Sequence, residues 1–468
     1  MHIMGSLFAA DALLPSGWAK NVLLAWNEAG ELTRVETDSR APDGMTTMSG
    51  PVIPGMPNLH SHAFQRATAG LTEYRSHNVD GTQDNFWSWR TLMYRFASRL
   101  GPEQLEAIAF WVYVEMLEAG YTSVCEFHYL HNNIDGQPYA DDATLALAIM
   151  RAAQRAGIGI TLLPVLYQTS GLGGLPPSEG QRRFVRSTDS MLKLLDRLKP
   201  LCDAQGVRLG LAPHSLRAVP PDGLREALAG LDAIDATAPI HIHIAEQIKE
   251  VSDCIAWSGQ RPVAWLLDHS PVDARWCLVH ATHMDADEYR RAGASGAVAG
   301  LCPTTEANLG DGIFDLPAWR TAGGVWGIGS DSHICVNVAE ELLMLEYSQR
   351  LSSRQRNVAA DAAQPQVATA MMLSAVRGGA QAVSRPVGGL AVGQQADLVM
   401  LNGAHTPLSG LPAPEMLSSH VFASNRTSAI AKVWVAGHPH VESAGRHELR
   451  DSAAAGFVAA RRQLLDTP

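Results

Sequence analysis

Cysteine is scarce in this 468-residue sequence, and its spacing has no pattern. None of the six cysteines forms a C-x-x-C pair, which argues against a disulfide framework. Several lie in apolar, strand-like runs, so we expect reduced interior residues of a cytoplasmic protein. The six are Cys125, Cys202, Cys254, Cys277, Cys302 and Cys335.

The sequence also lacks targeting features and an excess of positive charge. The segment MHIMGSLFAADALLPSG has no basic region followed by a long apolar stretch, so no signal peptide is predicted. No uninterrupted apolar run is long enough to cross a bilayer. The 36 basic residues are outnumbered by 47 acidic ones, and the net charge of −11 argues against nonspecific nucleic-acid binding. An acidic substrate would therefore need local cations at its site.

What is present is enough apolar sequence, 46% of residues, for a large core with an accessory domain. Three regions differ in pattern. Residues 1–52 hold short β-like pieces separated by turn residues. Residues 53–388 alternate strand-like and amphipathic helical stretches, and residues 389–468 return to a β pattern before a final helix near Ala453–Leu465.

The middle region contains eight short apolar runs, each ending in polar residues. These runs are Val52–Leu59, Thr122–Leu130, Ile158–Gln168, Val207–Ser215, Pro239–Glu246, Trp276–Thr282, Ala297–Thr304 and Val325–Ser330. Helical patterns separate most of them, including Pro102–Ala119, Asp142–Ala156, Ser187–Ala204, Pro262–His269 and Val338–Leu351. Strands alternating with helices predict a parallel sheet, and eight units predict a (β/α)8 TIM barrel. We also predict a small β-sandwich-like domain built from both chain ends.

Histidines lie where the first and fifth predicted strands end, the end at which such barrels place their active sites. His60 and His62 are two residues apart, so both face one side of an extended chain and could bind one divalent metal. Alone, this pair is equally compatible with a polar loop. On strand 5, His243 lies nearer the end than His241, which we interpret as structural.

Three further polar residues follow strand ends. Glu246, just beyond strand 5, could reach a metal-bound water as general base. His280 ends strand 6, whereas His283 fits a loop. Asp331 ends strand 8, too far upstream to cap the helix at Val338–Leu351, and could take an open metal position.

With these residues in barrel order, the chain resembles the amidohydrolase superfamily over nearly its whole length. His60-Ser61-His62, His243, His280 and Asp331 match its metal and catalytic motifs, and GGLAVGQQADLVML resembles its return into the small domain. Strand 4, VRLGLAPHSL, lacks the lysine of binuclear members. The resemblance therefore implies one divalent ion, zinc by expectation, held by His60, His62, His243 and Asp331.

The segments HIHIAE and CPTTEANLGDG are similar to the deaminase branch. That resemblance implies a homodimeric enzyme that removes ammonia from a linear amidine, with Glu246, His280 and Asp331 as catalytic residues. It also implies a small dicarboxylate substrate, because two arginines are among the residues that would bind it. Those residues are Gln65, Arg90, Tyr129, His214 and Arg217. An arginine fork pairs well with a carboxylate, although without the resemblance each arginine would be interpreted as a solvated surface residue.

Two alternatives stay open at this point. One is another deaminase or chlorohydrolase of the same branch, acting on a nucleobase-like or triazine substrate. Such sites favour aromatic stacking and neutral hydrogen bonds, so a pair of arginines argues against it. The other is a non-catalytic barrel that acts as a binding protein. The presence of all six metal and catalytic residues argues against this alternative.

Overall fold

The computed structural model describes residues 4–43, 45, 47–73, 75, 84–423, 429–442 and 445–466. Within them the chain forms strands of both parallel and antiparallel pairing. The strands are β1 Gly5–Leu14, β2 Gly17–Trp26, β3 Leu32–Glu36, β4 Thr47–Met48, β5 Val52–Pro54, β6 Met56–Ser61, β7 Tyr121–His128, β8 Gly159–Leu166, β9 Arg208–Leu209, β10 Ala212–Pro213, β11 Ile240–Ile244, β12 Trp276–His280, β13 Val298–Leu301, β14 Val325–Ile328, β15 Leu398–Leu401, β16 Ile430–Val435, β17 His438–Glu442 and β18 Arg446–His447.

Helices occupy most of the intervals between the middle strands. They are α1 Phe86–Ala97, α2 Pro102–Glu118, α3 Thr144–Ala156, α4 Thr188–Ala204, α5 Pro221–Asp235, α6 Ile248–Ser258, α7 Pro262–His269, α8 Ala286–Ser295, α9 Pro303–Leu309, α10 Leu316–Thr321, α11 Val338–Ser353, α12 Val367–Val383, α13 Ala413–Phe422 and α14 Arg450–Asp466. Local signals set several of their ends. Asn337, for example, caps α11 by accepting from the backbone of Ala339 and Glu340.

The middle strands form two parallel sheets. One has the order β10-β8-β7-β6 with β9 also paired to β8, and the other has the order β11-β12-β13-β14. Parallel bridges between Ser61 and Asp331 and between Leu211 and Ile240 link the two sheets at both edges. All eight predicted runs contain strands, and the fourth is split into the short β9 and β10. The chain therefore has a mixed α/β fold with parallel sheets.

The first predicted run, Val52–Leu59, is wrong as a single strand. β5 pairs with β1 and β15 in the sheet of the chain ends, whereas β6 pairs with β7 in a parallel sheet. Gly55 separates the two, and a Cβ there would lie 2.3 Å from the Thr122 side chain. The chain thus passes from one sheet to the other through a point too tight for a side chain.

The chain ends contribute a nine-stranded sheet with the order β18-β17-β16-β15-β5-β1-β2-β3, and β4 pairs with β1. Leu7, Leu24, Leu32, Leu398 and Trp434 belong to an apolar cluster on this sheet that is separate from the main core. The N-terminal and C-terminal segments therefore fold together, as the sequence predicts. The β-sandwich-like form of this region stays a prediction. Across the described residues no helix has the length and apolar character needed to span a membrane.

Candidate active site

Three imidazoles converge at the carboxyl ends of the parallel strands. Nε2 of His60 lies 3.1 Å from Nε2 of His62 and 3.0 Å from Nε2 of His243. Oδ1 of Asp331 lies 3.4 Å from Nε2 of His60 and 3.3 Å from Nε2 of His62. All four side chains are buried. The four predicted metal ligands thus cluster about Nε2 of His60.

Backbone carbonyls set the hydrogens on two of these rings. Nδ1 of His62 donates to the carbonyl of Phe127 at 3.0 Å, and Nδ1 of His243 donates to that of His214 at 3.1 Å. In the neutral rings each Nε2 therefore carries a lone pair, and both lone pairs face His60. Nδ1 of His60 has no hydrogen-bond partner among the described residues, and its Nε2 can donate to only one of the two acceptors at a time. A divalent cation would satisfy all three nitrogens, so the residues fit a metal ion.

Burial keeps the rings in the form that binds metals. It lowers the pKa of His60 to about 3, and it also lowers the pKa of His62 and His243. Burial alone would raise the pKa of Asp331, but the contact with His60 outweighs it and places that pKa below its usual range. The cluster thus presents neutral imidazoles and a carboxylate near neutral pH.

Glu246 and His280 lie beside this cluster. Nε2 of His280 is 3.8 Å from Oε1 of Glu246 and 3.8 Å from Oδ2 of Asp331. Burial raises the pKa of Glu246 to about 7, against the lowering effect of His280 and Arg217. Burial lowers the pKa of His280, but the charge of Glu246 and the hydrogen bond with Glu306 outweigh it and raise the pKa to about 10. Glu246 can therefore exchange a proton near neutral pH, whereas the raised pKa of His280 keeps that ring protonated and able to donate a hydrogen bond.

The backbone is strained around these residues. Ala245, His280, Ala281, Asp331 and His333 all have positive φ values, between +46° and +67°. None is glycine, so each conformation is costly unless its surroundings hold it. Strain of this kind commonly marks functional sites, and here it turns the chain at the ends of β11, β12 and β14.

A cleft opens above the cluster, and α1 forms part of its wall. Arg90 on α1 stacks on Trp87, its guanidinium carbon 4.4 Å from the ring centroid, and Arg217 lies 5.9 Å from the same ring. Arg217 is buried, with Nη2 3.7 Å from Oε2 of Glu246 and Nε 3.8 Å from Oε2 of Glu250. Both predicted arginines therefore face the same cleft as the histidine cluster.

The other predicted substrate residues line the cleft as well. Nε2 of Gln65 donates to Oη of Tyr129 at 2.7 Å, and both side chains are buried. The ring of His214 packs on Tyr167 and His243, with centroids 4.7 Å and 4.9 Å away. All five predicted residues thus occur together at the cleft.

A hydrogen-bonded network lies behind the metal-type ligands. Oγ of Ser61, between His60 and His62, donates to Oε2 of Glu126 at 2.6 Å and lies 3.0 Å from Nε2 of His333. Tyr113 also donates to Glu126, at 3.0 Å. Such bonds fix the backbone at the end of β6, which carries His60 and is followed directly by His62.

The amidohydrolase family model matches residues 52–439. The chain belongs to the amidohydrolase family. It is 51% identical to a formimidoylglutamate deiminase of Pseudomonas aeruginosa, over 99% of this chain and 100% of that protein. It is also 27% identical to an 8-oxoguanine deaminase of the same organism, over 77% of this chain and 78% of the relative.

Solved structures show the same relationship. A crystal structure of an amidohydrolase from Brucella melitensis superposes with a TM-score of 0.92, at 47% identity, covering 99% of this chain and 100% of that one. A zinc-bound adenosine deaminase from Xanthomonas campestris gives a TM-score of 0.78 at 21% identity, covering 98% and 97%. The latter likeness shows a common fold.

The two histidines interpreted as non-ligands lie outside the cluster. Nε2 of His241 donates to the carbonyl of Ala382 at 2.9 Å, and Nε2 of His283 donates to that of Asp311 at 2.8 Å. Trp87 and Glu306 were not predicted. Trp87 lies three residues before Arg90, a helical spacing that could have indicated it. Glu306 lies within the CPTTEANLGDG segment, where the sequence alone gives no role.

Proposed function

We propose that this amidohydrolase hydrolyses N-formimino-L-glutamate to N-formyl-L-glutamate and ammonia, a step of histidine degradation. The observation that carries the proposal is the cleft, which has Arg90 and Arg217 on its wall and His280, Glu246 and Asp331 at its floor. In the substrate the amidine is attached to the α-carbon that bears one carboxylate, and the second carboxylate ends the side chain, so two cations beside the reacting groups suit it. The 51% identity to the Pseudomonas aeruginosa deiminase supports the same substrate.

His60, His62, His243 and Asp331 are the proposed ligands of one divalent metal ion. Zinc suits this mixture of imidazole and carboxylate ligands, and a zinc-bound member of the same fold supports the choice. Such an ion would supply Lewis-acid activation of a water molecule. The carbonyl groups of Phe127 and His214 would keep Nε2 of His62 and His243 free to bind it.

Glu246, His280 and Asp331 handle the protons. Glu246 takes a proton from the attacking water while Asp331 holds that water by a hydrogen bond. The water oxygen bonds to the formimino carbon, and His280 donates a hydrogen bond to the tetrahedral centre. Attack on the amidinium form of the substrate leaves a hydroxyl and an amine on the tetrahedral carbon. Glu246 then gives its proton to that amine. As the carbon–nitrogen bond breaks, the hydroxyl proton passes to Asp331, so ammonia leaves and the carbonyl product forms.

Arg90 and Arg217 would bind the two carboxylates of the substrate, and Gln65, Tyr129 and His214 would complete its contacts. In the described residues no carboxylate side chain is paired with Arg90, which stacks only on aromatic rings. Its charge therefore remains available for an anion. Arg217 sits against Glu246 and Glu250 and would gain a third carboxylate as partner.

The architecture proposed with this function is a closed (β/α)8 barrel over residues 53–388. The two bridges that link the parallel sheets at both edges support closure. Residues 1–52 and 389–468 would form the small domain, with a sandwich-like fold. An antiparallel bridge from Glu31 to Gln395 joins distant parts of its sheet and supports that folding back. A homodimer in the cytoplasm stays a prediction.

Glu246→Gln tests the proposed chemistry. We expect the variant to bind metal normally and to lose most ammonia release, because an amide cannot accept the proton of the water. Glu288→Gln is the matched control, since Glu288 is an equally buried carboxylate that pairs with Arg261 instead. Near wild-type turnover by Glu246→Gln would refute the assignment.

Other substrates can be tried with the same protein. Release of ammonia from a nucleobase-like compound, or chloride from a triazine, in preference to N-formimino-L-glutamate would favour the neighbouring deaminases and chlorohydrolases. A native protein purified without metal, and inactive after metal addition, would favour a binding protein.

A further inference from the structure

Glu306 touches His280 from the side opposite the cleft. Its side chain is only 5% exposed, and Oε1 lies 3.2 Å from Nδ1 of His280 and 2.9 Å from the backbone nitrogen of Cys302. A carboxylate can only accept hydrogen bonds, so Nδ1 carries the hydrogen in this contact. That leaves Nε2 as the nitrogen facing Glu246 and Asp331.

The backbone does not fix this ring by itself. His280 and Ala281 have φ values of +67° and +49°, so the chain turns sharply where β12 ends. The ring stacks on His243 at an interplanar angle of 11°, a contact that does not distinguish its two nitrogens. The hydrogen bond to Glu306 does distinguish them.

The helix that carries Glu306 is itself held firmly. Glu341 accepts from the backbone nitrogen and Oγ1 of Thr304, at 2.9 Å and 2.6 Å. Oγ1 of Thr305 lies 3.0 Å from Oγ of Ser332, next to Asp331. α9 therefore presents Glu306 in a fixed place relative to both His280 and the strand-8 loop.

We propose that Glu306 is a positioning residue for the proposed deimination, holding the His280 ring so that Nε2 points to the reacting carbon. The kinetic consequence of this proposal rests on the proposed function. Glu306 would act through His280 and would not touch the substrate. In the described chain Glu306 is outside the residues that line the cleft. A purely structural alternative is that Glu306 only caps the start of α9 through Cys302.

Kinetics of the zinc-loaded full chain separate these roles. We expect Glu306→Ala to lower kcat by about 10–100-fold with little change in KM, as loss of a partner behind an active histidine does. Glu306→Gln keeps an acceptor and should recover part of the loss. Glu341→Gln is the control, because Glu341 anchors the same helix without touching His280. If Glu306→Ala and Glu341→Gln lowered kcat equally, the proposal would be overturned.

A double variant tests the route through His280. If Glu306 acts only through that ring, Glu306→Ala should cost nothing further in a His280→Ala background. An unchanged additional loss in that background would contradict it.

Nitrogen-15 NMR of histidine-labelled protein tests the contact without any substrate, with His280 assigned by its loss in His280→Gln. We expect an Nδ1-protonated ring in the wild type and in Glu341→Gln, and a changed ring signal in Glu306→Ala. An unaltered signal in Glu306→Ala would overturn the proposal. A wild-type protein that shows the contact but does not release ammonia from N-formimino-L-glutamate would refute the proposed function alone.

Discussion

The nine-stranded sheet of the chain ends and the carboxyl ends of the parallel strands differ in the polar groups that they bury. In the described strands of the former, His447 is the one buried polar side chain. The latter bury imidazoles and carboxylates together and hold five non-glycine residues at positive φ. Burial of charge and backbone strain both cost stability. Where buried charge and backbone strain occur in the same place, we expect a functional site.

The largest expected effect is at the site. Asp331→Ala should lower kcat by about 1000-fold or more, because it removes a proposed metal ligand and the hydrogen-bond partner of the water. The thermal midpoint of the metal-free protein should fall less than after the core truncation below, since the cost of burying the carboxylate offsets part of its contacts with His60 and His62. Calorimetry and steady-state kinetics check both. A less stable but active variant would reverse the comparison.

In the end sheet the expected pattern is the opposite. Leu398 is fully buried in the apolar cluster, and Leu398→Ala should lower the free energy of unfolding by about 2–5 kcal/mol. The folded variant should keep kcat, because the cluster does not reach the cleft. Urea unfolding and an activity assay below the transition measure this. A fall in kcat per folded molecule would show that the two regions are coupled.

Charge in the cleft should affect binding more than chemistry. Arg90→Met should lower kcat/KM by about 10–100-fold, the loss expected for a hydrogen bond to a charged group. Arg95→Met, on the exposed side of the same helix, is the control. The defect should shrink with N-formimino-glycine, which has a single carboxylate. Equal defects with both substrates would move Arg90 away from carboxylate binding.

A further expected effect is a pH dependence of stability. Burial raises the pKa of Glu341 from 4.5 to about 8. Because the folded state holds this proton more tightly, the stabilisation is complete below pH 4.5 and is lost as the pH rises through 8. Glu341→Gln should therefore lose less stability than the wild type between pH 5 and 8.5. Parallel urea-unfolding profiles across that range would contradict the assignment.

The sequence predicts the repeating plan better than its exceptions. An apolar run such as Trp276–Thr282 predicts a strand, and the polar residues at its end mark where that strand stops. The run therefore predicts both β12 and the position of His280 at its end. The separation of β5 from β6 was not predictable, because an apolar run does not report which sheet each half joins. Gly55 is visible in the sequence, but the close approach of Thr122, which leaves no room for a side chain there, is a long-range contact.

The site follows the same division. The proposed ligands His60, His62, His243 and Asp331 could be identified because their spacing and their position at strand ends are visible in the sequence. Glu306 could not, because its proposed role depends on a contact between the end of β12 and α9, 26 residues apart in sequence. The interpretation of His241 as structural rests on its position alone, and the structure adds a contact with the carbonyl of Ala382.

Ammonia release from N-formimino-L-glutamate by the metal-loaded protein tests the central claim most directly. We predict saturable release of ammonia with an equal amount of N-formyl-L-glutamate, abolished by Glu246→Gln. Absence of release from protein that contains its metal would contradict the proposed function, and the carboxylate roles of Arg90 and Arg217 would be lost with it.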